Sequence, residues 1–153
     1  MRLFKLFSLF LFFSVFQLGF GQTIIYVNSS SGNDTSGDGS SGAPYKTFHK
    51  GYTVAVSGDT INLTGIFTWS DNDESGDVAE QGYKISKNLM IVGQSDGTTI
   101  IQADTASNTA SRRVLTAQAT ASFNSLTIKN ITIRNGVSTT DGDIYSGSSR
   151  TTA

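Results

Sequence analysis

The densest group of side chains able to do chemistry runs Asp71-Asn72-Asp73-Glu74-Ser75-Gly76-Asp77-Val78. Oxygen ligands at its first, third, fifth and seventh positions, with glycine sixth and an aliphatic side chain eighth, follow the first half of a calcium loop. The twelfth position is Gly82, where a complete loop carries a bidentate carboxylate. The expectation is that Asp71, Asp73, Ser75 and Asp77 hold Ca²⁺ weakly. The plainer alternative is a solvated acidic turn. Asp34 and Asp38, in a glycine-rich stretch, offer a poorer version of the same chemistry and are accounted for by turn formation.

Catalysis on sugars asks for more. Glycoside hydrolysis needs two carboxyl groups flanking the cleaved bond, and β-elimination needs a positioned base, often beside a metal. No strand here carries an outward pair of acids, so no catalytic constellation is expected. Arg112 could grip an acidic sugar; adjacent Arg113 would point to the opposite face of a strand, so only one of the two can serve. Trp69 offers a ring on which a sugar could stack, although core packing suits it equally. His49 reads as a surface helix residue with no evident partner. Asn88 and Asn130 occupy matching places in two similar segments and are expected to stack as an amide ladder. Sequons at Asn28, Asn33, Asn62 and Asn130 carry little weight, since two of them fall in strands.

These residues need elements to position them. Thr23–Val27 is a β-branched run and reads as a strand. Residues 28–42 contain no apolar side chain and read as a long loop, expected to be the most mobile stretch. After Pro44, the positions Phe48, Tyr52 and Ala55 form one helical stripe that Gly58 closes, for three turns at most. Beyond Gly58 short β-type bursts alternate with polar turns: Thr60–Leu63, Lys84–Ser86, Leu89–Val92, Thr99–Gln102, Val114–Thr116, Leu126–Ile128 and Ile131–Arg134. Lys87–Gly93 resembles the segment from Lys129 to Gly136 at an offset of 42 residues. That offset equals two turns of about 21 residues each, a spacing typical of stacked repeats.

The amino terminus sets the compartment. Arg2 and Lys5 precede an apolar run from Leu6 to Phe20, and Gly19 and Gly21 supply small residues before a cut. This is the secretory signal-peptide pattern, assigned to residues 1–21. The run is shorter than the roughly 20 residues a spanning helix needs, so no transmembrane segment is expected after cleavage. Loss of Arg2 and Lys5 leaves nine basic against 12 acidic residues, a net charge of −3. A weakly acidic chain with scattered cations has no nucleic-acid footprint. There is no cysteine, so packing alone must hold the exported domain.

The order Tyr26-Val27, Gly32-Asn33-Asp34, Gly37, Pro44-Tyr45-Lys46-Thr47 and Gly58-Asp59-Thr60-Ile61 resembles the entry to right-handed β-helix proteins of the pectin-lyase-like superfamily. Lys87–Gly93, Thr99-Ile100-Ile101 and Leu126-Thr127-Ile128 with Ile131–Gly136 are similar to the first coils of such proteins. Asp141-Gly142-Asp143-Ile144-Tyr145 resembles the Gly-Gly-Gly-Ile-Tyr turn of polymorphic outer-membrane-type repeats, departing from it at Asp141 and Asp143. The resemblance covers about residues 23–145. It implies an all-β chain, a right-handed parallel β-helix with a short capping helix, bacterial and exported, that engages polysaccharide. The expected organisation is a leader, an entry segment over 22–57 bearing the loop and capping helix, and the first coils over 58–153. The chain reads as an N-terminal fragment, non-catalytic in itself. The alternatives are the front end of a polysaccharide lyase or glycoside hydrolase with its active site on later coils, and a surface adhesin repeat without carbohydrate activity.

Overall fold

The computed structural model describes residues 21–70, 74, 78–79, 82–107, 113–117 and 122–136. The leader assigned to residues 1–21 therefore lies almost wholly outside the described residues. Among the described residues ten strands and one helix follow in order: β1 (Ile24–Asn28), α1 (Phe48–Val54), β2 (Thr60–Thr64), β3 (Ile66–Thr68), β4 (Val78–Ala79), β5 (Gly82–Ile85), β6 (Leu89–Val92), β7 (Ile100–Gln102), β8 (Leu115–Ala117), β9 (Leu126–Lys129) and β10 (Thr132–Arg134).

The strands make three small sheets, in the orders β1-β2-β6-β9, β10-β7-β3 and β4-β5-β8. Every pairing is parallel except β4 with β5. The expected right-handed parallel β-helix is thereby corrected: the parallel strands stay in three separate sheets, and no closed or coiled solenoid forms among the described residues. A regular coil would bring each matching segment back to the same sheet. Here Leu89 pairs with Leu126 in the first sheet, while Thr132 pairs with Ile100 in the second. The 42-residue likeness between Lys87–Gly93 and the Lys129 segment is therefore one of sequence and not of position. An antiparallel pair, Val78 with Tyr83, also starts the third sheet.

Alternation along the strands decides what is buried. In the first sheet Ile25, Ile61, Ile91 and Ile128 form one row across four strands. Ile61 and Ile91 are fully buried within it. Phe67 and Ile101 form the matching row in the second sheet, and Tyr83 and Ile85 face inward from the third. All belong to one apolar cluster. Each fully buried side chain of this size contributes about 1.5–3 kcal/mol over leaving it in water, which suits a chain with no disulfide.

The expected stripe on α1 holds. Phe48 and Ala55 are buried and Tyr52 packs partly against the core. The helix runs seven residues, within the expected three turns, with Thr47 as N-cap accepting from Lys50 N at 3.0 Å and Ala55 as C-cap. Gly51 is the point of closest approach to β1: a methyl group there would lie 2.5 Å from Val27 Cγ2.

The loop over residues 28–42 is braced by hydrogen bonds at several points. Asn28 Oδ1 accepts from Ser30 N and Ser31 N, and Asn33 Oδ1 from Thr35 N and Ser36 N. Asp34 reaches across to Lys46 N, Thr47 N and the Thr47 hydroxyl. Short polar side chains that complete turns explain this composition without any ligand. In a similar turn further on, the Thr98 hydroxyl and then its N–H hold the Asp96 carboxyl below its ordinary value. That support is present above the unfolded pKa and is lost as the pH falls through the depressed one. A carbon-detected NMR titration is expected to show Asp96 titrating at lower pH in the folded than in the urea-unfolded chain.

Gly51→Ala sets helix propensity, which favours alanine by about 1 kcal/mol, against overpacking at Val27, which costs about 1–3 kcal/mol. Valine has little rotameric freedom to give, so overpacking wins. Urea denaturation should show Gly51→Ala destabilised by about 1–2 kcal/mol.

Candidate functional site

A helix of seven residues is too short to persist unaided. Two charged side chains from outside hold its ends. At the N-terminus the buried Glu74 carboxylate accepts from Phe48 N at 2.8 Å and His49 N at 3.1 Å. At the C-terminus Lys87 Nζ donates to Tyr52 O at 2.6 Å and Ala55 O at 2.8 Å, with Thr53 O at 3.3 Å. Acid at the positive end and ammonium at the negative end match the helix dipole. Lys87 also sits 4.5 Å from the centre of the Tyr52 ring.

This clamp fixes one wall of a groove of about 310 Å³ between α1 and β5, lined by His49, Tyr52, Thr53, Tyr83, Lys84, Ser86 and Lys87. His49 Nδ1 lies 2.9 Å from the Tyr83 hydroxyl. The ring is thus anchored by one nitrogen, and the sequence expectation of a histidine without a partner is corrected. Tyr52 and Ser86 are coupled twice: their hydroxyls are 3.2 Å apart, and Ser86 N donates to the Tyr52 oxygen at 3.0 Å. Lys84 sits between inward Tyr83 and Ile85 on β5 and points to the other face. Beneath this lining lies a buried aromatic cluster. Phe48 meets Tyr83 edge-on at 4.8 Å and Tyr52 meets Tyr83 at 5.2 Å. The wall therefore offers an ammonium, hydroxyls and an imidazole above packed rings.

Trp69 belongs to that buried cluster and not to a surface. It is buried, lies 5.4 Å from Tyr83 and 5.6 Å from Phe48, and donates from Nε1 to Val114 O at 2.6 Å. Its expected role as a sugar-stacking platform is corrected, because neither ring face reaches solvent. Arg112 lies outside the described residues, as do Asp71, Asp73, Ser75 and Asp77. Of that acidic run Glu74 is described, and it serves the helix. Among the described residues no group of three metal-ligating side chains is found.

Neighbouring Arg113 lines a second cleft of about 450 Å³ with Val114, Leu115, Ile133, Arg134, Asn135 and Gly136. Asn88 does not ladder with Asn130. Its side chain latches the next loop, accepting from Asn124 N at 2.8 Å and Ser125 N at 3.0 Å and donating to Ser122 O. Asn130 instead takes a left-handed backbone with φ 55°, which asparagine tolerates.

The alternation of Tyr83, Lys84 and Ile85 could have pointed to Lys84 from sequence. The clamp could not be read there, since Glu74 and Lys87 lie far along the chain from the helix they hold. No protein family, no curated protein and no solved structure matches the chain.

Lys87→Met keeps the aliphatic stem and removes the carbonyl contacts, and Glu74→Gln leaves a poorer acceptor for two N–H groups. Each is expected to lower unfolding free energy by about 1–3 kcal/mol. Both act on one short helix, so the double variant should lose less than the sum of the two. A urea-denaturation double-mutant cycle checks this; strict additivity would show that the ends are held independently.

Proposed function

We propose that this chain is part of a secreted or cell-surface protein that engages extracellular polysaccharide, and that this portion binds without catalysing. The groove beside α1 is the observation that carries the reading. Sugars are bound by convergent polar donors and acceptors, and His49 and Tyr52 from the helix with Lys84 and Ser86 from the facing strand supply such a set. The basic start, the apolar run to Phe20 and the small residues after it support export. Among the described residues no helix is long and apolar enough to cross a membrane.

A second reading, the front part of a polysaccharide lyase or glycoside hydrolase, draws on the His49–Tyr83 pair. An imidazole anchored at Nδ1 presents Nε2 as a proton-transfer atom. The groove shows no carboxyl partner among its lining residues, so binding is the better-supported role.

A glycan array followed by titration calorimetry tests the proposal. The purified chain is expected to bind at least one polysaccharide class, and Lys84→Ala to weaken that binding about tenfold, the effect of one charge-assisted hydrogen bond. Absence of binding across neutral and charged glycans overturns it. Release of unsaturated or reducing ends by the chain, abolished by His49→Ala, would favour the enzymatic reading.

A further inference from the structure

The second cleft holds a device that the groove does not explain. Thr68, Gln102 and Arg134 occupy one register row across β3, β7 and β10. Gln102 is buried, with its side chain engaged at both ends: Nε2 donates to the Thr68 hydroxyl at 2.9 Å, and Oε1 accepts from Arg134 Nε at 2.8 Å. A glutamine fixed in this way holds the guanidinium by its inner nitrogen. The two terminal nitrogens of Arg134 make no hydrogen bond to any described residue, and Arg134 lines the cleft together with Arg113 and Asn135.

The contact satisfies the buried Gln102 Oε1, and it does so with one nitrogen of the guanidinium only. Arg134 is exposed, and among the described residues β10 is an edge strand. A guanidinium with its Nε committed and its terminal fork open suits a planar, two-oxygen anion. A lysine at 134 would supply charge without the fork. Because the orientation is set before binding, less rotamer entropy is lost when a ligand arrives.

We infer that Arg134, oriented by Gln102 and Thr68 and flanked by Arg113, is an oxyanion-binding site for a charged substituent on the polysaccharide, a carboxylate or a sulfate ester. The inference rests on the proposed function and narrows its ligand to an anionic glycan. The mature chain carries a net charge of −3, so attraction must come from the local charge at Arg134 and not from the field of the whole molecule.

The test compares a uronate oligomer, a sulfated galactan oligomer and a carboxyl-reduced neutral oligomer against the whole mature chain by calorimetry. The wild type is expected to bind one of the charged oligomers about tenfold or more tightly than the neutral one. Which of the two wins identifies the substituent. Arg134→Met should erase the preference for charge, and Arg134→Lys should restore it only in part. Lys84→Ala should weaken charged and neutral ligands alike. An unchanged charged-to-neutral ratio in Arg134→Met overturns the site. If no oligomer binds, the polysaccharide reading fails, yet the site is still read directly by following the Arg134 Nε–H NMR signal during titration with inorganic sulfate and with acetate. A saturable shift with either anion supports the oxyanion site, and none with both overturns it.

Discussion

A seven-residue helix held at both ends by distant charges is the constraint on which the rest of this structure leans. Glu74 supplies acceptors to the first N–H groups and Lys87 supplies donors to the last carbonyls. Neither charge lies on the helix, whose first turn has no acid and whose last turn has no base. Local propensity therefore does little for α1. Its existence depends on chain that folds later in sequence, and Phe48, Tyr52 and His49 take their places only when that chain arrives.

From those three residues the arrangement spreads inward and outward. Inward, Phe48 packs on Trp69 and Tyr83, whose ring contacts join the helix to the second and third sheets. Outward, His49 and Tyr52 form one wall of the groove and meet Tyr83 and Ser86 on the other. Core and candidate site are thus two faces of the same aromatic group. The polar row of Thr68, Gln102 and Arg134 is set by strand register and adjoins that group through Trp69, whose backbone N–H donates to Gln102 O at 3.0 Å.

Much of the local structure was legible. Alternating β-branched residues located β2, β6 and β9 closely, and the Phe48/Tyr52/Ala55 stripe located α1. β3 was missed because Ile66-Phe67-Thr68 follows Gly65 directly after β2, with φ 99° at that glycine, so one apolar run hid a corner between two strands. The expected β-helix fails on long-range register, which local pattern does not encode: the similar strings at residues 87 and 129 predict equivalent positions, whereas hydrogen bonding assigns the two to different sheets. Trp69 was ambiguous for a related reason. An aromatic ring at a strand end is buried or exposed according to what packs over it, here Phe48 from a helix 21 positions earlier in the chain. Of the acidic run, Glu74 proved structural, as buried carboxylates beside a helix N-terminus commonly do.

The Asn88 latch carries a consequence for how the chain reaches this state. Its bonds to residues 124 and 125 span 36 and 37 positions, and those of Lys87 to the helix span 32 to 35. Contacts of this reach require large loops to close before any of them returns stability, which makes folding slow relative to a helical protein of the same size. For a chain proposed to leave the cell through a membrane pore, delay is useful. If the chain is exported as proposed, slow acquisition of the first sheet would keep it threadable, and assembly would wait for Lys87 and for the partners of Asn88 at residues 124 and 125.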